Sequence, residues 1–331
     1  MIADVELFGC FASDRTTNIE PGQHCKFDLV LPSELFRSSE PSATREPKRN
    51  EKQRHDSQSH SKLLPRGTLV DKFLVESVLG TGGFAVVYRA KHQLLNNTVA
   101  LKLIKPDVLA ARPGIGVLLV EEARFAARIH HPNVVKIYDV SHTEELTYIV
   151  MELIDGIALS QYVPLHGPLD AKVALRVGID VSSGLASGLE QGLIHRDIKP
   201  ANVLLCKNGA ACIVDFGLAH AIEQNTWLAP VSPRAVVGTR GYMSPEQARG
   251  DVHVDFRSDI YSLGVTLEEA CCGIAFRHES DGRPSHSRAR CLPEPLSKLL
   301  AWMQDPDPEK RPSSYQLLIK GLQAVNAELA G

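Results

Sequence analysis

The feature that most constrains this chain is a run of three glycines between two segments in which apolar and polar residues alternate. The glycines are Gly80, Gly82 and Gly83, within the stretch "LGTGGFAVVYRAKHQ". The segments "TLVDKFLVESVLG" and "AVVYRAKHQ" have the period of two that is typical of half-buried antiparallel strands. The run is therefore either a flexible hairpin turn or a loop whose backbone amides contact an anion, because glycine has no Cβ to obstruct that contact.

The β pattern continues to about residue 154, and a helical pattern follows it. "NTVALKLIK", "VVKIYDV" and "LTYIVMEL" predict three more strands, and "GVLLVEEARFAARIHH" predicts one helix that ends at Pro132. From about Asp155 the periodicity is helical, as in "DAKVALRVGIDVSSGLASGLEQGL". The sequence thus predicts an α+β fold of two lobes: a small five-stranded antiparallel β lobe with one main helix, and a larger, mostly α-helical lobe.

The part of the chain before the β pattern has a different composition. Residues 37–66 are rich in Ser, Gln and charged side chains and offer almost nothing to bury, which predicts a disordered polar linker. Residues 1–36 form a short segment whose role the sequence does not reveal. The expected lobes are 67–154 and 155–325, with a C-terminal tail at 326–331.

Charge and cysteine content restrict the environment and the partners. The 331-residue chain has a net charge of −3, so no whole-protein basic field indicates nucleic acid or an anionic membrane. Its seven cysteines have no framework spacing, which favours a reducing compartment. The N-terminus carries Asp4 and Glu6 where a secretion signal would be basic. We therefore expect a cytoplasmic protein without a membrane or nucleic-acid partner; the oligomeric state stays open.

Two further stretches carry candidate chemistry. In "HRDIKPANVLL", Asp197 and Asn202 lie five residues apart on one predicted loop, where the carboxylate can accept a proton while the amide oxygen binds a cation. In "VDFGLA", Asp215 follows an apolar run and precedes a glycine that permits a sharp bend. Taken singly, each is more often an ordinary loop or turn.

Taken in order, the glycine run, "VALK", "HRDIKPAN", "DFG" and "SPE" resemble the protein kinase family, in particular its serine/threonine branch and the bacterial members of that branch. The resemblance covers about residues 68 to 325. It implies the bilobal kinase fold and transfer of the γ-phosphate of ATP to Ser/Thr hydroxyls of protein substrates, in intracellular signalling and with autophosphorylation. It also implies Mg²⁺ as the cation, with Mn²⁺ as the alternative.

The resemblance implies a nucleotide site built on the glycine run and a strand lysine. Lys102, in "VALK", matches the lysine that neutralises the α- and β-phosphates, and Glu122 rather than Glu121 matches its partner carboxylate. Met151 matches the residue that gates the adenine pocket. The implied nucleotide-binding residues are Leu79, Gly80, Thr81, Gly82, Gly83, Val87, Ala100, Lys102, Glu122, Met151, Glu152, Ile154 and Leu204.

The resemblance implies that the adenine ring is bound by backbone groups and by apolar side chains. The backbone of Glu152 and Ile154, in "MELIDG", would meet the adenine edge. Val87, Ala100 and Leu204 would sandwich the ring.

The catalytic set also follows from the resemblance. Asp197 matches the aspartate that orients the acceptor hydroxyl and accepts its proton, and Lys199 matches the lysine that contacts the transferred phosphate. Asn202 and Asp215 match the metal ligands, hard oxygen donors of the kind that Mg²⁺ prefers. Together with Lys102 they supply positioning and charge neutralisation.

The segment after "DFG" is implied to be regulatory. Arg196 precedes the catalytic aspartate, a feature of kinases that are switched by a phosphate in this segment. Thr226 and Ser232, in "EQNTWLAPVSPRA", are the candidate acceptors, with an ordinary polar loop as the alternative. Thr239 matches a threonine that bonds to the catalytic Asp and Lys.

Three more residues are implied to be structural. Glu246 is expected to pair with Arg311, and Asp259, in "SDIYSLG", to bond the backbone of the catalytic loop from a buried helix. Two positions depart from the family pattern: Ala85 replaces the third glycine, and Ser244 replaces an alanine.

Two other functions remain open at this stage. A pseudokinase scaffold, acting by protein–protein interaction, is suggested by Ala85 and by a short, polar stretch after Gly264, which also puts substrate docking on that surface in doubt. It is opposed by the intact Lys102, Asp197 and Asp215. A small-molecule phosphotransferase is opposed by Lys199 and by the complete "GTRGYMSPEQ" segment. Both alternatives predict no phosphate on protein, and only the scaffold predicts negligible ATP turnover with any acceptor.

Overall fold

The structure is a computed structural model, and it describes residues 63–111, 114–143, 146–216, 241–251, 254–273 and 292–330. The expected N-terminal segment, nearly all of the expected linker, and Thr226, Ser232 and Thr239 lie outside these residues. Most of the polar stretch after Gly264 also lies outside them. Among the helices of the described ranges, none has both the length and the apolar character needed to cross a membrane.

Antiparallel strands of the described chain form two sheets. The larger sheet has six strands in the order β1-β2-β3-β4-β6-β5, and a second sheet has three in the order β7-β8-β9. The strands are β1 (Leu69–Val70), β2 (Phe73–Thr81), β3 (Ala85–His92), β4 (Thr98–Ile104), β5 (Ile137–His142), β6 (Thr147–Met151), β7 (Gly156–Ala158), β8 (Val203–Cys206) and β9 (Ala211–Ile213).

The α+β architecture of two lobes is confirmed, but the prediction of a five-stranded first sheet was wrong. "TLVDKFLVESVLG" is divided into β1 and β2 by a turn, in which Val70 pairs with Phe73. Asp71 has a φ of 52° in this turn, and its carboxylate accepts a hydrogen bond of 2.6 Å from the Tyr148 hydroxyl. The partner of Asp71 comes from a distant strand, so the local pattern did not reveal the turn.

Helices make up most of the second lobe. The α-helices are α1 (Pro106–Ala111), α2 (Ile115–Ala126), α3 (Leu159–His166), α4 (Ala171–Glu190), α5 (Pro245–Arg249), α6 (Arg257–Cys272), α7 (Glu294–Met303) and α8 (Tyr315–Glu328). The helix predicted to end at Pro132 is α2, and it ends earlier, with Ala127 as its C-cap. The next residues form a turn in which the N–H of Ile129 bonds to the carbonyl of Ala126 (3.1 Å).

Alternation along β4 decides which side of the larger sheet carries Lys102. Val99 and Leu101 pack in one apolar cluster, whereas Ala100 and Ile104 pack in a second cluster with residues of α2. Because successive side chains of a strand point to opposite faces, Lys102 lies on the face of Ala100 and Ile104. The lysine therefore lies on the side of the sheet that also carries α2.

The two lobes are joined by backbone hydrogen bonds close to β9. The N–H of Val135 donates to the carbonyl of Ile213 (2.9 Å), and the N–H of Ile213 donates to the carbonyl of Asn133 (2.8 Å). Cys212, in β9, packs in the same cluster as Ala100. The loop that follows β9 is thus held against the sheet of the first lobe.

An ion pair between Glu246 and Arg311 lies inside the helical lobe. The two terminal nitrogens of Arg311 donate to the two carboxylate oxygens of Glu246, at 2.6 and 2.8 Å. Arg311 is 1% exposed, and it also donates to the carbonyls of Asp305 (2.8 Å) and Arg257 (3.0 Å). A buried charge is tolerated only when it is paired and hydrogen-bonded, and Arg311 meets both conditions.

Removing one partner of this pair should destabilise the fold. We expect Glu246→Gln to lower the free energy of unfolding by roughly 3–5 kcal/mol, because it leaves the guanidinium buried without an opposite charge. Glu294→Gln is the matched control, since it breaks an exposed pair between Glu294 and Lys298, and it should cause little measurable change. Equal losses in denaturant titrations of the two variants would contradict this assignment.

The effect of Glu246 should depend on pH. Burial raises the pKa of Glu246, but hydrogen bonds from Arg311 and from neighbouring groups outweigh burial and hold the pKa below its ordinary value of 4.5. A carboxyl with a lowered pKa in the folded state stabilises the protein above its unfolded pKa and loses that contribution as the pH falls. The difference in unfolding free energy between the native protein and Glu246→Gln should thus be largest above pH 4.5 and shrink below it.

Candidate active site

The loop between α4 and β8 is shaped by one buried carboxylate. Asp259 of α6 is fully buried, and its two oxygens accept hydrogen bonds from the backbone N–H groups of His195 (2.8 Å) and Arg196 (2.7 Å). Arg196 has a φ of 63°, in the left-handed region that non-glycine residues rarely adopt. Burial raises the pKa of Asp259, and the nearby His195 and the two N–H groups oppose that rise. The carboxylate holds the backbone turn that precedes Asp197.

Three of the predicted catalytic side chains meet on this loop. The Nζ atom of Lys199 lies 2.6 Å from an Oδ atom of Asp197. The Nδ2 atom of Asn202 donates to the backbone carbonyl of Asp197 (2.8 Å) and to the same Oδ atom (3.2 Å). Because the Asn202 amide nitrogen is bonded to Asp197, its Oδ1 atom is the one available to a cation.

Asp215 lies on a second loop, directly after β9. Its carboxylate is 2.8 Å from the Nζ atom of Lys102, so that this ion pair joins the two lobes. Burial raises the pKa of Asp215, but the charge and hydrogen bond of Lys102 outweigh burial and lower the pKa overall. Asp215 has a φ of 63°, and the N–H of the preceding Val214 donates to the backbone carbonyl of Asn202 (3.0 Å). The two loops with candidate metal ligands are thus hydrogen-bonded to each other.

The ion pair of Lys102 differs from the one the sequence favoured. Among the described residues, the carboxylate within ion-pair distance of Lys102 is that of Asp215, and a pair between Lys102 and Glu122 is not found. Glu122 lies on the partly buried side of α2, whereas Glu121 is exposed, which agrees with the preference for Glu122 as the inward residue. The Asp215 partner was missed because it lies 113 positions away, on the other lobe.

The glycine run covers the exposed end of β2, which contains Gly80, and the turn to β3, which contains Gly82 and Gly83. Gly80 pairs with Val87, and the N–H of Gly82 donates to the carbonyl of Ala85 (2.9 Å). A Cβ added at Gly80 or Gly83 would meet no atom of the described residues within 4 Å, and neither glycine has a positive φ. The fold therefore does not require glycine at these two positions. Ala85, which replaces the third glycine, is buried in the apolar cluster of Ala100.

The predicted adenine contacts lie where the sheet meets the second lobe. Met151 pairs with Ala100, and both are buried in one cluster, with Val87 and Ile154 packed against it. The N–H of Glu152 donates to the carbonyl of Lys136 (2.9 Å), so the carbonyl of Glu152 is its backbone group that remains for a ligand. Leu204 lies in β8, where it is partly buried.

Gln247 is a residue of this region that the sequence reasoning missed. Ser244 is the N-cap of α5, and it exchanges hydrogen bonds with Gln247 in a capping box. The Nε2 atom of Gln247 also donates to the carbonyl of Arg196 (3.0 Å), so α5 is hydrogen-bonded to the loop between α4 and β8. The signal was present, because "SPEQ" is a capping-box pattern, and it explains serine at position 244.

This fold and this pair of loops define the protein kinase class. A family model described as "Protein kinase domain" matches residues 73–322. The chain is 36% identical over 259 residues to the serine/threonine-protein kinase PknB of Mycobacterium tuberculosis, an alignment that covers 73% of this chain and 41% of that protein. It is 31% identical over 272 residues to a probable serine/threonine-protein kinase of Clostridium perfringens, covering 78% of this chain and 39% of that protein.

A solved structure agrees with the fold. The kinase domain of Mycobacterium tuberculosis PknI superposes with a TM-score of 0.60 at 24% identity, over 79% of this chain and 99% of that domain. The chain belongs to the protein kinase domain family, as its motifs suggested. It spans about two fifths of the length of the curated relatives named above.

The hydrogen bonds of Asp259 lead to a prediction for the catalytic loop. Asp259→Asn keeps the size of the side chain but replaces one accepting oxygen by a donor, so one of the two backbone N–H groups loses its partner. A hydrogen bond to a charged group is worth about 1.5–3 kcal/mol, so amide exchange at His195 and Arg196 should accelerate by about tenfold or more.

Hydrogen–deuterium exchange on peptides that contain these two amides measures the effect. Asp251→Asn, which replaces an exposed aspartate paired with Arg249, is the control and should leave the exchange of the loop unchanged. Native protection in the Asp259→Asn variant would show that the loop does not depend on this carboxylate.

Proposed function

We propose that this protein is a serine/threonine protein kinase that transfers the γ-phosphate of ATP to Ser/Thr hydroxyls of protein substrates. The observation that carries the proposal is the connection of two loops: Asp197 bonds to Lys199 and Asn202, and Asn202 is joined through Val214 to Asp215. One loop supplies a base with an adjacent positive charge. The other supplies a carboxylate that is bonded to a lysine of the opposite lobe.

The proposed reaction assigns a role to each group of the first loop. The Asp197 carboxylate orients the acceptor hydroxyl and takes its proton as the hydroxyl oxygen forms a bond to the γ-phosphorus. The bond between that phosphorus and the β–γ bridging oxygen breaks, and ADP leaves. The Lys199 ammonium, 2.6 Å from Asp197, places positive charge beside the transferred phosphoryl group.

Asn202 and Asp215 have the chemistry to hold a divalent cation. Both offer hard oxygen atoms, and the lowered pKa of Asp215 keeps its carboxylate ionised near neutral pH. We therefore propose Mg²⁺, with Mn²⁺ as the alternative, bound by these residues together with phosphate oxygens of the nucleotide. The cation neutralises phosphate charge when it is bound.

The glycine run supports the same proposal. Neither the backbone conformation nor the packing of the protein demands glycine at positions 80 and 83. A reason outside the fold is needed, and close approach of backbone amides to phosphate oxygens supplies one. Leu79, Thr81 and Gly82 complete the proposed loop over the phosphates.

We also propose a cytoplasmic location. Cys206 and Cys212 are free thiols, as expected in a reducing compartment. Burial raises the pKa of Cys206 to about 11 and that of Cys212 to about 12, which keeps these two thiols protonated and unreactive at neutral pH.

The central test is transfer of labelled γ-phosphate from ATP, with Mg²⁺ present, to the protein itself and to a generic basic protein. We expect label on serine or threonine, and a loss of at least about 10³-fold in Asp197→Asn, because the base and its contact with Lys199 are removed together. Asp251→Asn is the matched exposed control, and its rate should equal that of the native protein.

The outcomes separate the candidate functions. Absence of label on any protein, from a folded sample that turns over ATP with a small acceptor, would favour a small-molecule phosphotransferase. Absence of any ATP turnover would favour the pseudokinase scaffold. Equal transfer by Asp197→Asn and the native protein would refute the role given to Asp197.

A second prediction concerns the glycine run. Gly80→Ala and Gly83→Ala should leave the free energy of unfolding within about 1 kcal/mol of the native value, because an added methyl group meets no atom of the part of the chain that the structure describes. They should weaken ATP binding by on the order of tenfold, because the methyl group obstructs the amides.

Calorimetric titration with ATP and Mg²⁺, paired with thermal unfolding, measures both quantities. Ser77→Ala, an exposed change on the same strand, is the control. Native ATP affinity in both glycine variants would show that these residues form only a turn.

A further inference from the structure

A glycine in α4 leaves the space that the Phe216 ring occupies. A Cβ built on Gly188 would overlap the Cζ atom of Phe216 and would lie 2.5 Å from its Cε1 atom. Approaches under 3.0 Å are essentially never made by real Cβ atoms. Gly178, on the same helix, meets only the ends of two leucine side chains, at 3.0 Å. Among the glycines of α4, the close approach of an aromatic ring is therefore particular to Gly188.

The Phe216 ring has a second contact, with His195. Phe216 is 4% exposed, and its ring contacts that of His195, with centroids 5.0 Å apart and planes at 62°. The Nε2 atom of His195 lies 3.1 Å from the carbonyl oxygen of Val214. The residues on both sides of Asp215 are thus held: Val214 by hydrogen bonds and Phe216 by the gap at Gly188 and the His195 ring.

This arrangement bears on the unusual backbone of Asp215. A non-glycine residue with a φ of 63° costs free energy and persists only where its surroundings impose it. Phe216 is the next residue, so the position of its ring acts directly on the turn at Asp215. The carboxylate of Asp215 then reaches Lys102 across the lobes at 2.8 Å.

We propose that Gly188 is a positioning residue for the phosphate-transfer site: by lacking a side chain, it lets Phe216 pack against α4 and so places the Asp215 carboxylate for cation binding. The inference rests on the proposed function, since it assigns the cation to Asp215. It adds a residue that lies outside every motif from which the function was argued.

A methyl group at Gly188 has a defined consequence. The Phe216 ring must move from this overlap to an ordinary contact of at least 3.4 Å from the methyl carbon. His195 is itself anchored by Asp259 and Val214, so the ring cannot move toward it without disturbing the catalytic loop. The displacement therefore passes into the backbone at Asp215. Misplacement of a catalytic group by about 1 Å can reduce the rate by about 10²-fold.

The first measurement is ADP affinity by calorimetric titration, with Mg²⁺ and with a chelator. The dissociation constant in the chelator divided by that with Mg²⁺ measures how much the cation, held by the Asp215 carboxylate, strengthens ADP binding. The affinity in the chelator measures the contribution of the rest of the pocket. We expect Gly188→Ala to reduce this ratio by about tenfold or more while leaving the affinity in the chelator within about twofold of the native value. Gly178→Ala, the matched change on the same helix, should alter neither.

Rescue separates displacement of the ring from a general effect on the helix. Phe216→Leu shortens the side chain, so the double variant Gly188→Ala with Phe216→Leu should regain most of the lost ratio. In the protein without nucleotide, Gly188→Ala should lower the midpoint of thermal unfolding and Phe216→Leu should reverse part of that shift. If Gly188→Ala does not fold, Phe216→Ala, which leaves the gap empty, should show the same loss of the Mg²⁺-dependent ratio.

The results would overturn the proposal in two ways. One is a native Mg²⁺-dependent ratio of dissociation constants in Gly188→Ala. The other is that the shifts in unfolding midpoint of Gly188→Ala and Phe216→Leu are additive, since ring and helix would then not be coupled.

Failure of the proposed function would give different results. If the native protein binds Mg²⁺-dependent ADP but labels no protein, the kinase proposal fails and Gly188 keeps its role. If the native protein binds no nucleotide, the kinase proposal fails, and the unfolding cycle alone then decides whether Gly188 sets the packing of Phe216.

Discussion

The buried carboxylate of Asp259 is the interaction on which the rest of the site depends. A short loop cannot hold a non-glycine residue at positive φ by itself, because no repeating hydrogen-bond pattern opposes relaxation of the backbone. Asp259 supplies that constraint from α6, with one oxygen for each of two consecutive backbone N–H groups. A carboxylate is buried only where hydrogen bonds compensate for lost hydration, so helix and loop specify each other.

The ion pair between Lys102 and Asp215 connects this rigid part to the first lobe. Lys102 projects from β4 on the face that alternation assigns to it, and Asp215 lies on a turn held on both sides. The catalytic loop belongs to the helical lobe, whereas the lysine belongs to the sheet. Phosphoryl transfer requires positioning and charge neutralisation more than covalent chemistry, which is the kind of geometry that two connected lobes supply.

Buried polar and small residues determine how the elements of the second lobe meet. The pair of Glu246 and Arg311 joins α5 to the chain before α8, and Gln247 of the same short helix bonds to the catalytic loop. Gly188 permits the closest approach of a ring to α4. None of these contacts contributes much apolar area, yet each is specific, because a buried polar group or an overlapping atom tolerates few alternatives.

Local patterns in the chain predicted the fold class, and the resemblance to protein kinases supplied most of the candidate residues. Alternation predicted the strands on either side of the glycine run, helical periodicity predicted α4, and the spacing of Asp197 and Asn202 predicted one loop. Reasoning from local patterns failed where a contact with a distant residue decides the local structure. The turn at Asp71 is bonded to Tyr148, and it added a strand to the larger sheet.

The sequence by itself determined the period of each element and the residue types that can carry the chemistry, because both depend on neighbours along the chain. Only the tertiary structure decided which of these residues meet. Lys102 contacts Asp215, Gln247 contacts Arg196, and Gly188 contacts Phe216. Each of these contacts joins segments that are far apart in the chain, and their approach is set by packing of whole helices and sheets, which no local pattern encodes.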